Sequence, residues 1–90
     1  MPLIASEILA ANVTVTTSSA QLVAARASRK SVKVFNLGPT NTIYVDEGTA
    51  TVAGSFPIPV NTWQEFETTS AINAIAGVAS CDVRILEVFN

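Results

Sequence analysis

Histidine is absent from this chain of 90 residues, and cysteine occurs once, at Cys81. The side chain that most often shuttles protons near neutral pH and most often ligates metals is therefore missing. One cysteine cannot close an intrachain disulfide, so no cystine framework supports the fold. Charge is scarce too: 13% of residues are Asp, Glu, Lys or Arg, against about 25% in ordinary soluble domains. Five basic and seven acidic residues leave a formal net charge of -2. That balance excludes a strongly basic nucleic-acid binder and a charge-driven disordered tail. The charge-free stretch Thr68–Cys81 is dotted with Ser, Thr, Asn and Gly and is too short to cross a bilayer. Met1-Pro2-Leu3-Ile4-Ala5-Ser6-Glu7 has no basic region, and Glu7 interrupts its apolar stretch. No secretory leader is expected, and synthesis is expected in a cytoplasm.

What is present is apolar: Ala, Val, Ile, Leu, Met, aromatic and Cys residues make up 49% of the chain. A chain of this size buries only about 60–65% of its unfolded surface and is marginal alone. Its polar positions are mostly hydroxyls and amides, as in Thr14, Thr16, Thr17, Ser18 and Ser19. Few charges beside many aliphatic positions suggest surface that copies of the chain cover. The alternative is a monomer with a neutral, hydroxyl-rich surface.

The pattern along the chain is that of strands. Val13-Thr14-Val15-Thr16-Thr17 alternates with period two and is rich in β-branched residues, which predicts a half-buried strand. Gln21–Ala27 suits a helix locally but is assigned extended beside so many strand signals. Ser31–Leu37 places Val32 and Val34 on one face and Lys33 and Phe35 on the other. Gly38-Pro39-Thr40-Asn41 is turn chemistry, and Thr42–Asp46 follows with Ile43 and Val45 inward and Tyr44 outward. The two segments predict a β-hairpin. Thr49–Val52 predicts a short edge segment, and Pro57 and Pro59 forbid a central strand around Phe56–Pro59. Trp63–Glu67, Ile72–Val78 and Cys81–Val88 complete the set, the last with Cys81, Val83 and Ile85 inward. Seven to eight short strands predict a compact antiparallel β-sandwich or small, jelly-roll-like barrel. Residues 1–12 stand apart as an N-terminal arm, either one helical turn or an extended docking segment, ahead of a single domain at 13–90. Ile4 and Ile8 are its candidate contact residues.

Chemistry is sparse. Without histidine, the many Ser and Thr hydroxyls have no usual base, and only Lys30 or Lys33 could replace it. Cys81 opens an apolar strand and is expected to be a core thiol. Glu65 and Glu67 share a strand face about 7 Å apart, which suits a solvated face better than glycoside hydrolysis. No glycine-rich phosphate loop, CxxC, HExxH or calcium-loop pattern occurs. No catalytic residue, cofactor or metal is expected. Arg26, Arg29, Lys30 and Lys33 are four of the five basic residues within eight positions, while six of the seven acids lie beyond residue 45. They form either a solvated loop rim or a basic edge that meets an acidic patch on another subunit. Trp63, Phe56, Phe66, Tyr44 and Phe35 fill a core or an interface. With Tyr44 and Phe35 both outward, these two and Trp63 are candidate contact residues. Leu86 and Val88 also fall outside the inward set.

The run Arg29-Lys30-Ser31-Val32-Lys33-Val34-Phe35-Asn36-Leu37-Gly38, then Asn41-Thr42-Ile43-Tyr44-Val45, resembles small virion proteins of tailed bacteriophages. So does the close, Ala74-Ile75-Ala76-Gly77 followed by Asp82-Val83-Arg84-Ile85-Leu86-Glu87. In that family a basic-Ser strand leads into Asn-Leu-Gly and an Ile-Tyr-Val strand. The usual Gly-Gly after the latter is Asp46-Glu47-Gly48 here. The resemblance covers about residues 13–88 and implies a non-enzymatic capsid decoration (cement) protein. Such a protein is often a homotrimer seated on the capsid exterior against the major capsid protein. Neither a nucleic acid nor a membrane is expected as partner, since four basic residues without interleaved exposed aromatics make a poor groove and no stretch is long enough to span a bilayer. A head-fibre base, a tail or neck adaptor, and a glycan-binding adhesion module are the alternatives.

Overall fold

The computed structural model describes residues 7–89, and all of its regular structure is β. Eight strands follow in order: β1 (Glu7–Val15), β2 (Ala20–Val23), β3 (Arg29–Gly38), β4 (Ile43–Asp46), β5 (Phe56–Ile58), β6 (Thr62–Phe66), β7 (Ile72–Ala76) and β8 (Cys81–Phe89). They form two four-stranded sheets of order β1-β8-β3-β6 and β2-β7-β4-β5. Every pairing is antiparallel. Eight strands divided between two sheets in this order, with β4 and β5 joined as a hairpin in the second, make a jelly roll.

Period-two patterning explains which residues meet between the sheets. Val32 and Val34 of β3, Val83 and Ile85 of β8, Ile43 and Val45 of β4, and Ala74 and Ala76 of β7 all point into one core. Cys81 lies there too, as an inward thiol at the start of β8. Each fully buried aliphatic side chain contributes about 1.5–3 kcal/mol. Asn36 also points inward and is wholly buried, but its polar atoms are matched. Its Nδ2 donates to the carbonyls of Asn41 (2.8 Å) and Ile58 (2.9 Å), and its Oδ1 accepts from the Gly38 amide at 2.8 Å.

Three expectations from sequence are corrected. The segments on either side of Gly38-Pro39-Thr40-Asn41 are no hairpin: β3 belongs to the first sheet and β4 to the second. The turn carries the chain across the sandwich, and Val32/Val34 face Ile43/Val45 from the opposite layer. Thr49–Val52 forms no strand: it runs irregularly into the turn at Val52–Gly54, although Ala50 is buried. The strand expected from Val13 starts by Glu7, and residues 7–12 pair with β8 in unbroken register. The boundary expected between residues 12 and 13 therefore falls inside β1. Ile4 lies outside the described residues. The prolines sit as expected, with Pro57 in the edge strand β5 and Pro59 just beyond it.

Candidate functional site

The outward residues of the first sheet assemble into two cross-strand rows. Because Val32, Val34 and Asn36 point inward, Lys33 and Phe35 must point outward. Register then sets their neighbours. Phe35 lies between Arg84 and Trp63, and Arg84 lies beside Asn12. In the next row Lys33 lies between Leu86 and Glu65, and Leu86 lies beside Ala10. Ile8 faces Val88 one step further on. A shallow hollow of about 410 Å³ between the rows is lined by Ala10, Lys33, Phe35, Trp63, Arg84 and Leu86, with Ile85 beneath. Phe35, Leu86 and Val88 are half-buried, whereas Trp63 keeps 52% and Ile8 63% of its surface exposed. The Lys33 ammonium lies 4.9 Å from the centre of the Trp63 ring, a cation–π contact. Arg84 pairs with Asp82 on the same strand at 3.2 Å. The result is an apolar stripe bordered by both signs of charge.

This face gathers Phe35, Trp63, Lys33 and Ile8 from the contact residues expected in the sequence. Tyr44 is not among them. It lies on the outer side of the second sheet, between Ile75 and Pro57, because its strand crosses to the other layer. Ala10, Arg84 and Leu86 complete the face. Their signal is cross-strand register, which local alternation does not carry.

The basic cluster divides. Arg29 is no rim residue: its side chain is wholly buried and pairs with Glu87 at 2.9 Å. Its Nε donates to the Thr68 carbonyl (2.9 Å), its Nη1 to the Ala24 carbonyl (2.8 Å), and its Nη2 to the Ser70 carbonyl. One guanidinium thus fastens two connections, β2–β3 through Ala24 and β6–β7 through Thr68 and Ser70, to β8. Arg26 shares the same Glu87 oxygen at 3.1 Å and lies over the Phe89 ring. Only Lys30 and Lys33 of the four are exposed without a carboxylate partner among the described residues.

The remaining ionisable groups have local explanations. Asp46 accepts from the Gly48 amide at 3.1 Å and from Ser55 Oγ at 3.0 Å. These bonds hold its carboxyl below the ordinary value, the Gly48 amide most of all. Burial pushes the Cys81 thiol up. Asp46, Glu47, Glu65 and Glu67 rim a second hollow, of about 360 Å³, whose floor includes Val45, Phe66 and Ile72. Phe56 and Phe66 meet there edge to face, 6.2 Å between ring centres. Among the described residues no three His, Cys, Asp or Glu side chains are placed to hold a metal ion.

No protein-family model matches the chain, and no curated protein matches it in sequence. Solved structures do share its fold. The stem and receptor-binding domain of the spike protein of bacteriophage PM2 superposes with a TM-score of 0.66 at 12% identity, over 86% of this chain and 31% of that one. This chain thus spans about a third of the spike structure. A de novo designed double-stranded β-helix gives 0.60 at 17% identity, over 88% of this chain and 97% of the design. Hydroxypropylphosphonic acid epoxidase from S. wedmorenis gives 0.58 at 14% identity, over 88% of this chain and 42% of the enzyme. At these identities the likeness is one of fold: the chain has the two-sheet architecture of a double-stranded β-helix.

Proposed function

We propose that this chain is a structural protein of a bacteriophage virion: a capsid decoration protein on the shell exterior that contacts the major capsid protein and copies of itself. The observation that carries the reading is the outer face of the first sheet. Its half-exposed apolar rows, anchored by Trp63 and Phe35 and bordered by Lys33, Arg84, Glu65 and Asp82, have the make-up of a docking surface. Aromatic anchors inside a polar rim are where binding energy concentrates. Many weak copies on a repeating shell then bind through multivalency. The fold shared with a bacteriophage spike supports the setting, and the shared fold of an epoxidase shows that architecture alone does not decide it. The role requires no catalytic residue and no cofactor.

Glycan adhesion is the second reading, and the exposure of Trp63 favours it. Against it, Lys33 occupies one face of the ring on which a sugar would stack. The test is quantitative mass spectrometry of particles from a lysate in which the chain is naturally expressed. A fixed ratio to the major capsid protein is expected, and absence from the particles refutes the reading. Shells stripped of the protein should rebind it, and Trp63→Ser should weaken that rebinding by about tenfold or more, as loss of an aromatic anchor does.

A further inference from the structure

Among the described residues the two sheets end in four edge strands, β1, β6, β2 and β5, and three of them are protected. β2 has four residues and a register shift, β5 has three and contains Pro57, and β6 has five and carries Glu65. Shortness, irregularity, proline and charge are the devices that keep edges from pairing with other chains. β1 has none of them. It runs nine residues, Glu-Ile-Leu-Ala-Ala-Asn-Val-Thr-Val, without proline or lysine, and its one charge is at the end. It pairs with β8 from Glu7 opposite Phe89 to Val15 opposite Cys81 with no shift. Among the described residues nothing pairs with its other side.

A second observation concerns its faces. A jelly-roll edge strand normally buries one face, and β1 does so only at its end, where Val13 is half-buried and Val15 is buried. Residues 7–12 are exposed on both sides. Ile8, facing out, is 63% exposed, and Leu9, on the core side, is still 39% exposed. Among the described residues such a segment has β8 on one side, no neighbour on the other in the plane of its sheet, and no layer covering either face.

We propose that β1 pairs with β1 of a second copy, antiparallel about a two-fold axis near Ala11, joining two four-stranded sheets into one of eight. Side-chain alternation requires a register that sets core side beside core side, and of these the one centred on Ala11, the midpoint of Glu7–Val15, lays all nine residues alongside each other. With Ala11 opposite Ala11, Leu9 lies beside Val13 of the other copy on the core side, and Ala10 lies beside Asn12 on the outer side. The bare half of each strand then sits beside the covered half of the other. Glu7 comes opposite Val15, whereas parallel pairing would set Glu7 against Glu7, and like charges directly opposite are unfavourable. A two-fold contact of this kind is self-complementary and closes. Pairing β1 with β6 of the next copy would instead leave free edges and continue into a fibre. The proposal deepens the self-association in the proposed function and rests on it. It also sets the count: the edge makes pairs, where the resemblance implies trimers. The two outer faces become one surface with two anchor sites.

Sedimentation equilibrium of the full chain tests this. The wild type should dimerise. Ala11 is exposed, so Ala11→Lys and Ala11→Glu should fold with unchanged circular dichroism while placing like charges opposite each other across the axis. Each should raise the dimer dissociation constant by about tenfold or more, a change of about 1.4 kcal/mol. An equimolar mixture of the two should recover a heterodimer. Trp63→Ser should leave dimerisation untouched. A monomeric wild type, association that neither Ala11 variant moves, or open-ended filaments would each overturn the pairing. A charge-reversible dimer absent from phage particles would support the pairing and refute only the virion reading. Ala11→Lys present in particles at wild-type ratio, with an unperturbed oligomer, would do the reverse.

Discussion

Glu87→Gln is the sharpest probe of what holds this small sandwich together. The change is nearly isosteric and removes only the charge that faces Arg29. The Arg29 guanidinium has no exposed surface, so it cannot turn to water for compensation. It keeps the carbonyls of Ala24, Thr68 and Ser70 but loses its anion. Removing one member of a buried pair costs about 3–5 kcal/mol, and a fold of this length has only about 5–13 kcal/mol in total. The chain contains its own control. Asp82→Asn breaks the exposed Arg84 pair, whose side chains are 54% and 44% exposed, and such pairs contribute about 0–1 kcal/mol. Arg26→Ala, removing the half-exposed partner of Glu87, belongs with the control. A double variant separates charge pairing from carbonyl capture. Replacing both members of a simple buried pair by Met is often neutral. Arg29→Met with Glu87→Met should remain destabilised by about 3 kcal/mol, because three carbonyls lose a donor at roughly 1 kcal/mol each. Urea unfolding followed by circular dichroism, at fixed protein concentration because association couples to stability, measures all four. Glu87→Gln costing no more than Asp82→Asn, or the double variant matching the wild type, would refute this account.

Other positions make independent predictions. Gly38 has a φ of +89°, and a Cβ there would collide with Val60 Cγ2; Gly38→Ala should cost about 2 kcal/mol, and adding Val60→Ala should recover part of it by removing the collision but not the strain. The raised pKa of Cys81, above an ordinary 9.0, favours the neutral thiol in the folded state. Its contribution is full below that value and is lost as pH rises through the folded pKa, so the alkaline decline in melting temperature should be shallower in Cys81→Ala. For Asp46 the sign is opposite: its lowered pKa, against an ordinary 3.8, gives a contribution present above that value and lost as pH falls through the folded pKa. Asp46→Asn should therefore flatten the acid limb of a pH–melting curve, and an unchanged limb would refute the role of the Gly48 and Ser55 bonds.

Local alternation is enough to assign faces but not sheets. Val32, Val34, Ile43 and Val45 are inward whether their segments form a hairpin or face each other across a sandwich, since both arrangements bury the same side chains. The turn at Gly38-Pro39-Thr40-Asn41 fits either. What distinguishes them is the outer side. A hairpin sets Phe35 and Tyr44 side by side, whereas the crossing connection puts them on opposite surfaces. The grouping of these outward residues is hidden for the same reason: the sequence singles out Phe35, Trp63 and Lys33 one by one, but Leu86 and Trp63 come to flank the β3 residues only through pairings across more than 25 residues of chain. The Arg29–Glu87 pair was half legible. Alternation through Cys81, Val83 and Ile85 continues to Glu87, and an inward acid needs a cation. Which of four basic residues supplies it depends on the irregularity near Arg29, where the register with β8 shifts and Arg29 and Ser31 are both buried.

Residues 7–12 show where alternation stops carrying information, and why. A strand shows period two because one face is buried and the other is wet. Ile8, Leu9, Ala10 and Ala11 are apolar on both faces, so the segment suggests an arm as readily as a strand. In the folded chain it is a strand with neither face covered, and the cause of alternation is missing with its signal. Apolar residues on both faces of an unprotected edge are costly for a solitary chain, which exposes aliphatic surface and unpaired backbone together. The cost is removed by a neighbour that extends the sheet and brings its own covered half alongside. Three of the four edge strands carry a guard in shortness, irregularity, proline or charge, and β1, whose one charge is Glu7 at its end, carries none along its length.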